Sequence, residues 1–231
     1  MKRQRRQALS ASLSAALTVQ SKRLRRLRTH QERYDASVAN WSKVQPEIKA
    51  LLIHMNRGHD RCMYCEYSEA GTVDHFCPRS KDPKQAFHWP NLILACERCQ
   101  TAKRTGFSKL VLNPTNRTYQ PWVHLDFEPT TGEYIAISDQ AKASEPIYKW
   151  GRGHLPQYRR NSFWTFQAAI IAYAEAGNAA LAQQQRTKVE NEPHPGIFDW
   201  ILHWVETNDP RLDSRCRQAI LDHPEIRGWL S

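Results

Sequence analysis

The sequence predicts an α+β fold in which a small ββα unit, stapled by four cysteines, is embedded in a mainly α-helical chain with one short β-hairpin. Three observations carry this. Cys62-Met-Tyr-Cys65 is answered by Cys96-Glu-Arg-Cys99, two CxxC pairs of the spacing that holds one tetrahedral metal ion. Two short β-prone runs, Thr72–His75 and Asn91–Ala95, lie between the pairs. Most of the remaining chain repeats its apolar residues at helical spacing. The 231 residues divide into three expected segments: a basic amphipathic arm over 1–34, the stapled unit with a leading helix over 35–106, and a hairpin plus helical region over 107–231.

Taken in order, Leu9, Leu13, Leu17, Leu24 and Leu27 fall at steps that predict one amphipathic helix over 7–33 with a basic face. A second helix is expected from Pro46, at its first turn, to a stop near Gly58. The run 97–105 predicts a helix that begins inside the second cysteine pair, with 78–90 as the loop between the two strands. Farther on, His124–Ile137 reads as a hairpin turned by Thr-Thr-Gly-Glu. From Asn161 the pattern is helical as far as Val189, and Pro193-His-Pro195 breaks it before two further helices, over 197–207 and 211–222.

The net charge of +10 is unevenly spread. Residues 1–34 hold ten Lys or Arg against one acid, Glu32, so the rest of the chain is nearly neutral. A basic arm attracts polyanions by releasing their counterions, and nucleic acid is the expected partner. Arg23, Arg25 and Arg26 are its candidate contacts. Two CxxC pairs leave Cys77 and Cys216 without a partner, a pattern suited to reduced thiols in a cytoplasmic setting rather than a disulfide framework. The apolar stretch after Arg5-Arg6 contains three serines and runs into another basic cluster, which argues against a secretory signal. No stretch has the length to span a membrane. The tryptophans Trp150, Trp164, Trp200, Trp204 and Trp229 are expected in the core or facing a partner.

Between the cysteine pairs stand Asp74-His75-x-x-Pro78 and Asn91, with Gln100 and Lys103 just after the second pair. In this order and spacing the residues resemble the zinc-stapled HNH endonucleases of the ββα-metal fold. That resemblance implies a structural Zn²⁺ on Cys62, Cys65, Cys96 and Cys99, and phosphodiester hydrolysis of DNA, with RNA left open. It implies His75 as general base, with an imidazole near its ordinary pKa. Asp74 would ligate a hard divalent ion, Mg²⁺ or Mn²⁺, and Asn91 would hold the loop that orients the histidine. Alternation along a strand sends Asp74 and His75 to opposite faces unless the backbone bends. Lys103 and Arg104 are placed to meet phosphate oxygens. The family's usual His or Asn after the last cysteine is Gln100 here, a second metal ligand on a longer stem, with His88 in reserve.

More loosely, the Asn113-Pro114 turn, the hairpin and the helical C-terminal half resemble HNH proteins of bacterial anti-phage systems, of the Septu type and of some retron operons. That likeness implies a defence effector working with an ABC-type ATPase. Two other readings remain open on the sequence. One is a non-catalytic zinc-knuckle module that binds nucleic acid; the other is an assembly subunit whose nuclease is silent until its partner joins.

Overall fold

A computed structural model describes residues 1–67 and 69–230. In chain order its elements are α1 (Ala11–Arg26), α2 (His30–Trp41), α3 (Gln45–Met55), β1 (Thr72–His75), β2 (Leu92–Ala95), α4 (Glu97–Lys103) and the short α5 (Pro121–His124). There follow β3 (Leu125–Glu128), β4 (Glu133–Ala136), α6 (Asp139–Tyr148), α7 (Leu155–Ala174), α8 (Ala179–Asn191), α9 (Pro195–Thr207) and α10 (Ser214–Asp222). Single 3-10 turns lie at Pro83–Gln85, Trp89–Asn91 and Pro224–Gly228. The fold is α+β, mainly helical, with two small antiparallel strand pairs. No helix among the described residues is long and apolar enough to cross a membrane.

The chain forms two compact units. One, the metal-site unit, comprises Arg3–Gln120 and Ser138–Lys149; the other, the hairpin–helix unit, comprises Met1–Lys2, Pro121–Ile137 and Trp150–Ser231. The segment 107–231 therefore contributes to both.

In the metal-site unit the expected single helix over 7–33 is two. The chain breaks at Leu27, and Thr29 starts α2 with a capping box. Glu32 N–H donates to Thr29 Oγ1 at 3.1 Å, and Glu32 Oε2 accepts from Thr29 N–H at 2.8 Å and Arg28 N–H at 3.0 Å. Satisfying these otherwise orphaned donors makes a new helix start worth more than continuing the old one. Helix α1 has its own cap in Ser10 and buries Leu13, Leu17 and Leu24. Both α1 and α2 pack on the turn at Pro83–Gln85, while α3 lies against β1 and β2.

The two central strands pair in the register Thr72↔Ala95 to His75↔Leu92. All four β2 side chains are buried, as a run of Leu-Ile-Leu-Ala requires. The first cysteine pair is docked on this sheet by Met63 N–H donating to Leu94 O at 2.9 Å. Cys96 is the N-cap of α4, so the second pair is the helix's first turn. Past α4 the chain turns at Gly106, where a Cβ would come within 2.8 Å of Lys103 O. Helix α6, which the sequence reading missed, then fastens the irregular stretch that follows: Leu112 N–H donates to Ser144 Oγ at 2.8 Å, and Tyr148 Oη donates to Leu112 O at 2.7 Å. Its signal was there in Ser138, whose side chain caps Ala141 N–H, but Pro146 inside the helix hid it.

In the hairpin–helix unit β3 and β4 pair from Leu125↔Ala136 to Glu128↔Glu133. Gly132 has φ +79°, and a Cβ there would fall 1.8 Å from Pro156 O, so no other residue fits this turn. Arg159, 1% exposed, explains why the turn sits there: its Nε donates to Gly132 O at 2.8 Å and its Nη2 to Trp150 O at 2.9 Å. The run expected to be helical from Asn161 to Val189 starts six residues earlier and is interrupted before Asn178, which caps α8. Phe127, Phe163, Phe166, Phe198, Trp204 and Trp229 make the core. Trp150 and Trp200 are buried as well, whereas Trp164 is 53% exposed.

Candidate active site

The four cysteines of the two CxxC pairs converge. All are buried, and their Sγ atoms lie within 4.8 Å of one another. The Cys65–Cys96 separation is 3.9 Å, close to the edge, about 3.8 Å, of a tetrahedron of thiolates at zinc–sulfur bond length. The donor set and its geometry fit Zn²⁺. Four sulfurs close the coordination shell and leave no position for a substrate, so this site is a staple.

Strand β1, pinned by that staple, alternates in burial, with Asp74 half-buried and His75 buried. Asp74 faces α4. Its Oδ2 accepts from Tyr64 Oη at 2.7 Å and lies 3.0 Å from the Lys103 ammonium. Neither contact involves Oδ1, which carries no hydrogen bond or ion pair among the described residues. Lys103 also donates to His75 O at 2.7 Å, so one ammonium holds the side chain of Asp74 and the backbone of its neighbour. The Lys103 side chain, expected to meet phosphate, is 1% exposed and is engaged within the unit by these two contacts. Arg104, at the C-cap of α4, is exposed.

His75 is 6% exposed. Its ring lies 4.5 Å from that of Trp41 on α2, and Nε2 is 3.0 Å from Ala86 O. A carbonyl can only accept, so Nε2 carries the hydrogen and the lone pair of the neutral ring is on Nδ1. The expectation of an ordinary pKa is corrected. Burial, and after it the positive charge of Arg79, hold the imidazole down at about 3, with Lys103 adding to the effect. The ring is therefore neutral throughout the physiological range.

Asn91 connects this histidine to the loop. Its Oδ1 accepts from Cys77 N–H at 2.7 Å, and its Nδ2 donates to Cys77 O at 3.1 Å and Gln85 O at 3.0 Å. One buried amide thus closes the loop that carries the Ala86 carbonyl to His75. Gln100 donates from Nε2 to Thr72 Oγ1. Thr72 and Asp74 share a face of β1, and Gln100 and Lys103 share a face of α4, so Gln100 belongs to the Asp74 side. For a hard divalent ion, Asp74 Oδ1 and the amide oxygen of Gln100 are donors of the right chemistry. His88, the reserve candidate, lines a cavity of about 430 Å³ together with Phe76, Cys77, Gln85, Asn91 and Lys109.

Of the basic arm, part is committed internally. Arg6 donates to Pro90 O at 2.9 Å and Thr115 Oγ1 at 3.0 Å and stacks over Trp89 at 4.6 Å, and Arg33 caps the end of α1 through Leu24 O and Leu27 O. Arg23, Arg25 and Arg26 are exposed, with Arg23 reaching Asn40 at 3.3 Å. Arg25 lies near enough to His88 to depress its pKa, after burial and Arg6. Sequence reasoning missed Tyr64, Trp41, Ala86 and Arg79. Their roles depend on contacts between distant segments, and nothing in local spacing points to them.

Residues 62–106 match the HNH endonuclease family model. The match begins at the first zinc cysteine and ends just beyond α4, so it covers the staple, both strands and the helix. Separately, 82 residues are 37% identical to the Septu protein PtuB of Bacillus thuringiensis, covering 32% of this chain and 30% of that relative. The chain thus matches less than a third of the relative's length. No solved structure matches the chain.

Proposed function

We propose that the HNH unit hydrolyses phosphodiester bonds of DNA, with His75 as general base and a divalent ion, Mg²⁺ or Mn²⁺, held by Asp74 and Gln100. The observation that carries this reading is the single tautomer of His75. Nε2–H is anchored on Ala86 O, and that carbonyl is itself positioned by Asn91, which leaves Nδ1 as a fixed proton acceptor for an attacking water. The bound ion supplies positive charge to the scissile phosphate and lowers the pKa of water. Tyr64 and Lys103 hold the Asp74 carboxylate in one orientation, so its free oxygen is pre-aimed. Zinc on the four cysteines keeps β1 and α4 in register and takes no part in the chemistry.

In this reading the arm over 1–34 guides nucleic acid through the exposed Arg23, Arg25 and Arg26, joined by the exposed Arg104 at the end of α4. Residues 35–106 form the nuclease segment, and 107–231 with its exposed Trp164 serves assembly. The likeness to PtuB supports an effector of a Septu-type defence system, cytoplasmic and partnered by an ABC-type ATPase. Supercoiled DNA incubated with Mg²⁺ or Mn²⁺ tests the reading: the wild-type chain, alone or with that partner, nicks it, and His75→Ala does not. Equal cleavage by both proteins would sink the reading.

One observation favours the silent-until-assembled variant of this reading. His75 lies beneath Trp41 with 6% exposure, so the isolated chain is expected to turn over slowly and a partner that shifts α2 to accelerate it. A fully active isolated chain would argue against that variant.

A further inference from the structure

A guanidinium taken out of water without a counterion costs free energy that the fold does not recover by itself. Two other buried cations of the metal-site unit keep acceptors: Lys103 has a carboxylate and a carbonyl, and Arg6, whose Nε and Nη1 are buried without a partner among the described residues, still donates from Nη2 to a carbonyl and a hydroxyl. Arg79 is different. It follows Pro78 in the loop after β1, is only partly exposed, and buries Nη1 with no hydrogen-bond partner among the described residues. Among the described residues no carboxylate pairs with it. Its guanidinium carbon lies 5.8 Å from the Trp41 ring. That same indole lies 4.5 Å from the His75 ring, so Arg79 and His75 flank one aromatic surface. Burial lowers the Arg79 pKa, and Tyr34 on α2 is the charge-bearing group that offsets this.

We propose that Arg79 is a substrate-binding residue that takes the non-bridging oxygens of the phosphodiester beside His75. This rests on the nuclease reading and adds to it the group that seats the phosphate. The chemistry selects a phosphate for two reasons. The planar fork of an arginine offers paired donors that match two phosphate oxygens, and the anion would supply the missing counter-charge at the position where the base needs its substrate. Lys103 cannot do this, being spent on Asp74 and the His75 carbonyl. The Trp41 ring lies against the guanidinium itself, and it does so from α2, outside the segment that matches the HNH family.

The test uses the full chain with zinc bound, in a His75→Ala background that cannot cleave, and a 20-base-pair DNA duplex as probe. Binding is followed by fluorescence anisotropy over a series of salt concentrations. Arg79→Gln, which keeps an amide on a shortened stem and removes the charge, is expected to make the slope of log affinity against log salt shallower by about one. Arg79→Lys restores the slope but not the full affinity, because a point charge lacks the fork. With His75 intact, Arg79→Gln lowers kcat by roughly a hundredfold, on the scale of losing one charge-stabilising donor. Zinc content and thermal midpoint report that the unit is folded. An unchanged salt slope and affinity in folded Arg79→Gln would overturn the inference, as would loss of binding to an ATPase partner with DNA binding intact. If His75→Ala still cleaves, the nuclease reading falls, whatever the binding data say of Arg79.

Discussion

Around β1 and β2 the buried groups that fix geometry are polar or metal-binding: four thiols, the Asn91 amide, the Lys103 ammonium, the Tyr64 hydroxyl. In the hairpin–helix unit the corresponding positions are filled by rings. Phe127, Phe163, Trp200 and Trp204 pack with centroids 5.7–6.4 Å apart, and the buried cation Arg159 is itself covered by the Tyr134 ring at 4.4 Å. Directional contacts hold an atom to a fraction of an ångström but are lost whole when one partner goes. Apolar contacts are forgiving of direction and add up over area. The unit that must aim a histidine uses the first kind, and the other relies on the second.

The sharpest way to break this contrast is to remove the metal. Chelating the zinc, or Cys96→Ser, should unfold the surroundings of β1 and α4, since a structural zinc contributes binding energy of about 10–16 kcal/mol in small zinc peptides. Far-UV circular dichroism with zinc analysis checks it. The tryptophan near-UV signal of the hairpin–helix unit should survive the treatment; its simultaneous loss would erase the distinction between the units. Next in size, Trp204→Ala should cost about 3–5 kcal/mol in urea unfolding, the usual range for a large aromatic in a core, while leaving zinc content unchanged.

Asn91→Ala comes third. Three hydrogen bonds to Cys77 and Gln85 disappear, and the unpaired groups should cost about 1–3 kcal/mol. Cleavage should fall far more than stability, because the Ala86 carbonyl is no longer held against His75; a loss of activity no larger than the loss of folded protein would contradict the role given to Asn91. Smallest, Thr29→Ala removes the cap of α2 and should cost about 1 kcal/mol, read as a small drop in thermal midpoint with zinc content intact.

Much of this site could be read along the chain because its parts are local. The cysteine pairs, β1, β2 and α4 each occupy a few contiguous residues with their own spacing or β-branched content, and Asn91 sits at a fixed distance from both. What escaped was of two kinds. The break at Leu27–Thr29 was written in Thr29-x-x-Glu32 but was overridden by the leucine periodicity, which continues across it. The low basicity of His75, the sequestration of Lys103 and the position of Arg79 were not written locally at all. They follow from Trp41, 34 positions before His75, and from the meeting of α4 with β1. Periodicity reports which face of an element is apolar, not which neighbour covers it.

The Asn91 clamp has a consequence for how such a unit can be altered. It grips the chain at Cys77 and again at Gln85, and the seven residues between are bracketed rather than woven into the sheet. Within that interval Pro78 and Pro83 are buried and α1 and α2 pack on the turn that Pro83 begins, whereas Ser80, Lys81 and Lys84 face outward. A designer wishing to change what the proposed nuclease acts on, while keeping Arg79 and the bracket, would start by rewriting those three exposed positions.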